Sequence, residues 1–525
     1  MSTVHHNMSL TGEPPKHLST VQKIATGLGW TGLFILTLSI FNVDLPFYFV
    51  WIALGLIVTG VVLYANDQYL GKPAGIKNDG VWFKNLTSRG SLAWGAGLLL
   101  TWFYIILYWY PEYLGFNPEG ENTGVIGFFD PLSRLINGHA ASQWFVYGVL
   151  YTIAILTFGY KFILKYRHNK YEILRTISVM FFQLGFAFII PEILIRLNQP
   201  YFNPNVIWPL NYDLFAGYNL DKFFSAGNVG LIMLGFGVAS IFVITPILTY
   251  FYGKRWYCSW VCGCGGMAET AGDPFRHLSD KSRSNWIFER WLIHTVLVFV
   301  VIMTIAVVYT FLNENQGRFW LSKDTFLISC GIFFTVLFSG IMLFKRKELA
   351  KDAKYGAVGF FVILLLIIAL YYSTGISYGH KLREWYGFLI GAAFSGVIGV
   401  GFYPIFGNRV WCRYGCPMAA ILGMQQRLFS KFRITTNGGQ CISCGNCSTY
   451  CEMGIDVRAY AQKGENIVRS SCVGCGICAA VCPRGVLKLE NGSKEGRING
   501  DAVLLGNDVD LLDLIKQQKH DARKN

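Results

Sequence analysis

Eight cysteines fall in one short stretch, in two runs of identical spacing. The first reads CISCGNCSTYC, with Cys441, Cys444, Cys447 and Cys451. The second reads CVGCGICAAVCP, with Cys472, Cys475, Cys478 and Cys482, then Pro483. Each run is Cys-x2-Cys-x2-Cys-x3-Cys, the ferredoxin spacing for two 4Fe–4S clusters. Three thiolates on one short loop can each reach a different iron corner of a cubane. Gly445, Gly474 and Gly476 let the backbone wrap close and aim N–H groups at sulfur. In two-cluster modules the trailing cysteine of each run ligates the other cluster. The spacing therefore assigns Cys441, Cys444, Cys447 and Cys482 to one cluster, and Cys472, Cys475, Cys478 and Cys451 to the second. Zinc ribbons use two CxxC pairs, not two triplets with a trailing cysteine. Glu452 stands where a proline often follows the fourth cysteine, a departure that removes no ligand.

A second thiol pattern occurs twice. GKRWYCSWVCGCGG begins at Gly253 and GNRVWCRYGCPMAA at Gly407. Gly253 matches Gly407, Arg255 matches Arg409, Tyr257 matches Trp411, and Cys258 and Cys262 match Cys412 and Cys416. This is the pattern of an internal duplication, each copy following an apolar run. Cysteines four apart on a helix share a face. Two such faces packed about a pseudo-twofold axis bring four thiols together near the inner membrane surface. Soft thiolates there suit an additional iron or cluster, or a dithiol relay; the plainer alternative is that each pair packs its own helix end. Cys264 has no counterpart, and Cys330, alone within an apolar run, reads as core packing.

The elements that carry these motifs are membrane spans. Of the 525 residues, 53% are hydrophobic and 14% charged, against about a quarter charged in soluble domains. About ten runs approach the roughly 20 apolar residues a span needs: 24–41, 45–65, 91–114, 143–164, 176–197, 228–252, 291–312, 325–344, 357–376 and 388–407. The first is the weakest, and with the second it forms a helical hairpin. The net charge of +14 is concentrated in alternate loops, at 66–90, 165–175, 253–290 and 345–356. The intervening loops 115–142, 198–227, 313–324 and 377–387 are poor in Lys and Arg. The positive-inside rule then puts both termini and the cysteine module in the cytoplasm, a reducing compartment suited to clusters. The basic excess is thus explained by membrane orientation, and nucleic-acid binding is not expected. The aromatic loops 115–142 and 198–227 read as loop or interfacial structure.

The expected fold class is a polytopic all-α membrane bundle with a C-terminal α+β two-cluster ferredoxin module. Its divisions are a tail at 1–23, helices one to six at 24–252, a loop with the first CxxxC at 253–290, helices seven to ten at 291–407, the second CxxxC and linker at 408–435, the ferredoxin domain at 436–493, and a tail at 494–525. VLKLENG after Pro483 is the module's closing strand and turn. Val509 to Gln517 is amphipathic and suits docking on a partner or on its own domain.

Together the two CxxxC motifs, CISCGNC, CVGCGIC and GIDVR at Gly454 to Arg458 resemble the membrane polyferredoxin family of NapH, NosR and FixG (CcoG). The resemblance covers mainly residues 253–290 and 407–490. Family members carry CxxxCP in both places; Cys416-Pro417 fits, whereas Gly263 follows Cys262. The resemblance implies a bacterial inner-membrane 4Fe–4S electron-transfer protein within a larger membrane complex, exchanging electrons with quinone or another redox subunit, as in a quinol dehydrogenase. Two other classes stay open: a maturation factor that reduces a metal or thiols during assembly of a respiratory complex, and a redox-gated transporter.

Other chemistry is sparse. Haem b needs paired histidines on spanning helices, and only His294 falls within a run, so no haem is expected. No phosphate-cradling GxxxxGK[ST] occurs. Glu192 and Arg196, four apart near the outer end of the fifth run, read as an interfacial ion pair or as a quinol proton acceptor at Glu192. Gln183 suits a polar contact between helices.

Overall fold

Long apolar runs without internal charge leave the backbone one way to satisfy its hydrogen bonds in lipid, and the chain accordingly folds into helices. The computed structural model describes residues 17–39, 46, 48–72, 74–75, 80–347, 349, 351–375 and 378–491. The tail with Val509 to Gln517 lies outside the described residues. Eight described helices are long and apolar enough to cross a membrane: Tyr48–Tyr69, Ser91–Trp109, Gln143–Lys165, Lys170–Arg196, Gly227–Tyr252, Arg283–Glu314, Lys323–Phe344 and Lys351–Thr374. The protein is a multi-pass membrane protein.

The remaining two of the ten expected runs are helical but fall outside this set. Thr20–Leu38 is diluted by Gln22, Lys23 and several Gly and Thr residues. It packs along Tyr48–Tyr69 as the expected hairpin partner. Gln22 Nε2 donates to Gln68 Oε1 at 3.0 Å, and a Cβ on Gly32 would meet the Ala53 carbonyl oxygen at 2.5 Å. The tenth run, 388–407, is entered from a helix in the expected loop before it, Gly379–Tyr386, which carries Lys381, Arg383 and Glu384. It continues as π-helix Gly387–Ile398, and a separate short helix, Tyr403–Phe406, follows.

The segment after Arg196 differs from the interfacial loop expected of it. Residues 199–216 carry no regular helix, yet they insert between the spans. Asn205 is buried, and its Nδ2 donates to the Phe182 carbonyl at 2.9 Å, near the middle of Lys170–Arg196. Trp208 Nε1 donates to Thr304 Oγ1 at 2.9 Å, well inside Arg283–Glu314. Irregular backbone at this depth is tolerated because protein groups satisfy it. The π-helical turn Phe182–Ile189 helps, since a π segment frees carbonyls from the regular ladder.

The C-terminal module is anchored by a two-stranded antiparallel sheet. Strand β1, Phe432–Thr436, pairs with β2, Leu487–Asn491, the strand expected after Pro483. The core beneath it is continuous with that of the bundle: Ile293, Val300 and Met303 of a spanning helix share one buried cluster with Phe432, Ile434 and Ile467 of the module.

Candidate functional site

Two cavities sit in the module. Cys441, Cys444, Cys447 and Cys482 line the first, with Ile442, Arg458, Pro483 and Arg484 at its rim. Cys451, Cys472, Cys475 and Cys478 line the second, with Glu452, Met453 and Val473. Each trailing cysteine thus stands with the other run's triplet. The local reason is that each run turns through left-handed glycines into a short helix: Gly445 before Asn446–Thr449, Gly476 before Ile477–Ala480. That turn points the fourth cysteine back across the module.

The thiols are surrounded as cluster ligands need to be. The N–H groups of Ile455 and Met453 point at Cys451 sulfur, that of Gly474 at Cys472, and that of Ala479 at Cys478. Val486 N donates to Cys482 Sγ at 3.4 Å. Burial pushes the Cys447 thiol up to about 12 and Cys472 up to about 11. Without a bound cation these thiols stay neutral; iron is what would deprotonate them. Among the described residues no group of three or more His, Cys, Asp or Glu is arranged to hold a single metal ion. The four thiols lining each cavity suit a cubane, which spreads its ligands over four corners. A zinc ion would draw them to one centre.

The repeated CxxxC motifs share one local fold. Gly253 (φ 67°, ψ −173°) and Gly407 (φ 95°, ψ 172°) end their helices in the same conformation, one that only glycine adopts readily. A single helical turn follows in each copy. Cys262 N then donates to the Tyr257 carbonyl at 2.8 Å, and Cys416 N to the Trp411 carbonyl at 2.9 Å. Both cysteines cap the next helix, Gly263–Thr270 or Pro417–Phe429.

The two copies meet. Cys258, Cys262, Cys412 and Cys416 are all buried in one core cluster and lie within electrostatic reach of one another. Arg409 Nη1 contacts both Cys412 Sγ (3.5 Å) and the Cys258 carbonyl (3.3 Å). Cys264, which the repeat leaves without a counterpart, joins them through a hydrogen bond with Cys262.

The group packs against the interior of the bundle. Gly263 sits against mid-helix Gln183, where a Cβ would meet Oε1 at 2.5 Å, and Tyr257 OH donates to the inserted Asn205 carbonyl at 2.7 Å. Gln183 itself donates to Thr152 Oγ1 of a neighbouring helix at 3.1 Å, the interhelix contact expected of it. Cys330, on Lys323–Phe344, is only partly buried and stands apart from the thiol group, packed against the core. The expected Glu192–Arg196 pair does not form. Glu192 accepts from Asn137 Nδ2 at 2.6 Å, and Arg196 donates to the Leu135 carbonyl.

The thiol group and the second cavity are neighbours. Ser259, next to Cys258, donates from Oγ to the Val473 carbonyl at 2.9 Å. Arg409, which touches Cys412, makes a 3.0 Å ionic contact through Nε with Glu452, a residue lining the second cavity. Sequence reasoning missed this role of Glu452. Its only local signal was a carboxylate in a proline's place.

Comparison with known proteins agrees with this arrangement. The family model described as a 4Fe-4S binding domain matches twice, at residues 234–282 and 388–435, once over each CxxxC copy. The 4Fe-4S dicluster domain matches residues 440–487. The chain is similar to the "Putative electron transport protein YccM" of Escherichia coli (strain K12), at 30% identity over 114 residues, which is 20% of this chain and 32% of that one. It is also similar to the "Uncharacterized protein MJ0749" of Methanocaldococcus jannaschii, at 28% identity over 167 residues, 31% of this chain and 61% of the relative. The chain therefore spans less than two thirds of either relative's length. No solved structure matches. With the membrane helices, these matches support a membrane polyferredoxin-like family, 4Fe–4S cofactors and a role in electron transfer.

Proposed function

We propose that this membrane polyferredoxin-like protein passes single electrons between the quinone pool, or a membrane redox subunit, and a redox partner at the surface of its ferredoxin module. Cys441, Cys444, Cys447 and Cys482 would hold one 4Fe–4S cluster, and Cys451, Cys472, Cys475 and Cys478 the other. The clusters supply one-electron carriage. The chain's own residues bury them, direct N–H groups at sulfur and fix their spacing. The five thiols of the repeated motifs, Cys258, Cys262, Cys264, Cys412 and Cys416, would form an additional iron–sulfur step between bundle and module. In this reading the protein sits in a bacterial inner membrane, with module and termini cytoplasmic, inside a larger membrane complex.

The observation that carries the reading is the order of the groups. The thiols of the repeated motifs, on short elements packed among the spans, adjoin the second cavity through Ser259 and Arg409. Most residues lining the second cavity are buried, while the first reaches the surface at exposed Cys444. This is a line from membrane interior to water, as an electron route requires.

The test is anaerobic mixing of full-length protein with quinol. Both module clusters should be reduced by menaquinol or ubiquinol, followed by their electron paramagnetic resonance signals. Clusters that dithionite reduces but neither quinol does would remove the quinone assignment.

A further inference from the structure

Between the thiol group and the second cavity lies a buried ion network that the electron route does not itself require. Its members are Lys165, Glu172, Arg175, Glu269, Asp273, Arg276, Arg409 and Glu452, each side chain no more than 3% exposed. They come from helix ends, from both sides of the duplicated thiol motif and from the module. Lys165 Nζ meets Asp273 Oδ2 at 2.7 Å, and Arg276 Nε meets Asp273 Oδ1 at 2.8 Å. Arg276 Nη1 donates to Glu452 Oε2 at 2.5 Å. Arg409 joins Glu452 to Glu269, and Arg175 joins Glu269 to Glu172.

The network touches the second cavity's loops at three places. Glu452 follows Cys451 in the chain. Ser259 Oγ bridges Glu269 Oε1 and the Val473 carbonyl. Glu172 Oε1 packs against Gly476, where a Cβ would meet it at 2.4 Å. Four acids face four bases here, and the buried Lys161 and Lys254 stand at the edges, so positive charge is in excess. Burying so many ions costs free energy that their pairing only partly returns. A hydrophobic contact would have joined module to bundle more cheaply. What fixed charges add is a field at the cavity, and reduction potential responds to net charge, burial and hydrogen bonding around the cluster.

We propose that this network, with Glu452 and Arg276 as its members nearest the second cavity, is a positioning device that locks that cavity's cluster against the thiol group and sets its reduction potential by fixed charge. The proposal rests on the second cavity holding a cluster. Glu452 is the negative contributor, its carboxylate paired with Arg276 and Arg409. Removing its charge makes reduction easier; removing an arginine's charge makes it harder.

The experiment is an anaerobic potentiometric titration of the full chain in detergent, reading both clusters by electron paramagnetic resonance. Glu452→Gln should shift the second-cavity cluster to higher potential and Arg276→Gln to lower, with the first-cavity cluster unmoved in both. Glu452→Asp keeps the charge and should hold the wild-type potential. Shifts of the same sign in Glu452→Gln and Arg276→Gln, no shift in either, or an Asp shift as large as that of Gln would overturn the proposal. If Glu452→Gln fails to assemble, the sign of the Arg276→Gln shift decides alone. Wild-type protein with one reducible cluster and about four irons would instead sink the cluster reading itself, and with it this inference.

Discussion

The two cysteine cavities are near copies in sequence and unlike in setting. The second is held by the bundle on every side. Gln426 Nε2 donates to the carbonyls of Arg469 and Cys472, Lys254 Nζ to that of Ser470, Ser259 Oγ to that of Val473, and Tyr171 OH to that of Gly474. Bundle side chains thus satisfy almost every carbonyl of its loop. The first cavity has Ile442, Ser443, Cys444, Arg458 and Arg484 exposed at its edge. One ligand spacing therefore stands in two settings, one gripped by the bundle and one open at the surface. The difference comes from the surroundings and not from the cysteine runs.

The largest effect that tests this contrast is loss of a ligand. The module of anaerobically purified protein should hold about eight irons and eight sulfides, any iron at the five thiols of the repeated motifs coming in addition. Cys444→Ser and Cys475→Ser should each remove about half, but only Cys475→Ser should also loosen the module from the bundle, seen as faster proteolysis between Ser430 and Asn437. Equal protease sensitivity of the two variants would break the comparison. Next is Cys412→Ser, which should stop quinol from reducing the module while both of its clusters stay assembled and dithionite-reducible; undiminished quinol reduction would discard the thiol step.

A smaller effect belongs to the open end. Replacing Arg458 and Arg484 together by Glu should slow cluster reduction by anionic dithionite, by roughly a few-fold at low salt, and speed it with cationic viologens. The effect should fade as ionic strength rises toward a Debye length of about 3 Å at 1 M. A salt-independent change would mean the rim acts through structure. Smallest is Tyr171→Phe, which deletes one hydrogen bond to the gripped loop. It should cost about 1 kcal/mol in module unfolding by denaturant, with no change at the first cavity.

Much of this was legible because it is local. Three-residue spacings put each trio on one loop, and the sets of four that line the cavities follow from that. The duplicated Gly, Arg, aromatic and Cys pattern announced a repeated fold, and both copies show it. Ligand roles themselves await the iron measurements above. What escaped prediction depends on partners far along the chain. Glu452 takes its meaning from Arg276 and Arg409; the repeat marks Arg409 but not its acidic partner, and no local pattern marks Arg276. Gly263, in place of the second proline of CxxxCP, makes room for Gln183, eighty positions earlier. Cys264 has no repeat partner and is recruited only by folding. The 199–216 segment looked interfacial because its aromatics are typical of such loops; only the carbonyl of Phe182 and the hydroxyl of Thr304 reveal that it is drawn inward.

That inserted segment carries an electrical consequence. It meets Tyr257, one residue from Cys258, at the mid-length of spans whose far ends lie on the other side of the bilayer. On the proposed route, an electron passing between a donor on the loop's side and the thiols would cross part of the transmembrane field. Moving one charge across the whole field is worth about 2.3 kcal/mol per 100 mV, so a partial crossing makes the reduction equilibrium depend on voltage. In proteoliposomes, a potassium diffusion potential imposed with valinomycin should then change how far the module is reduced at a fixed donor ratio, and reversing the gradient should reverse the change.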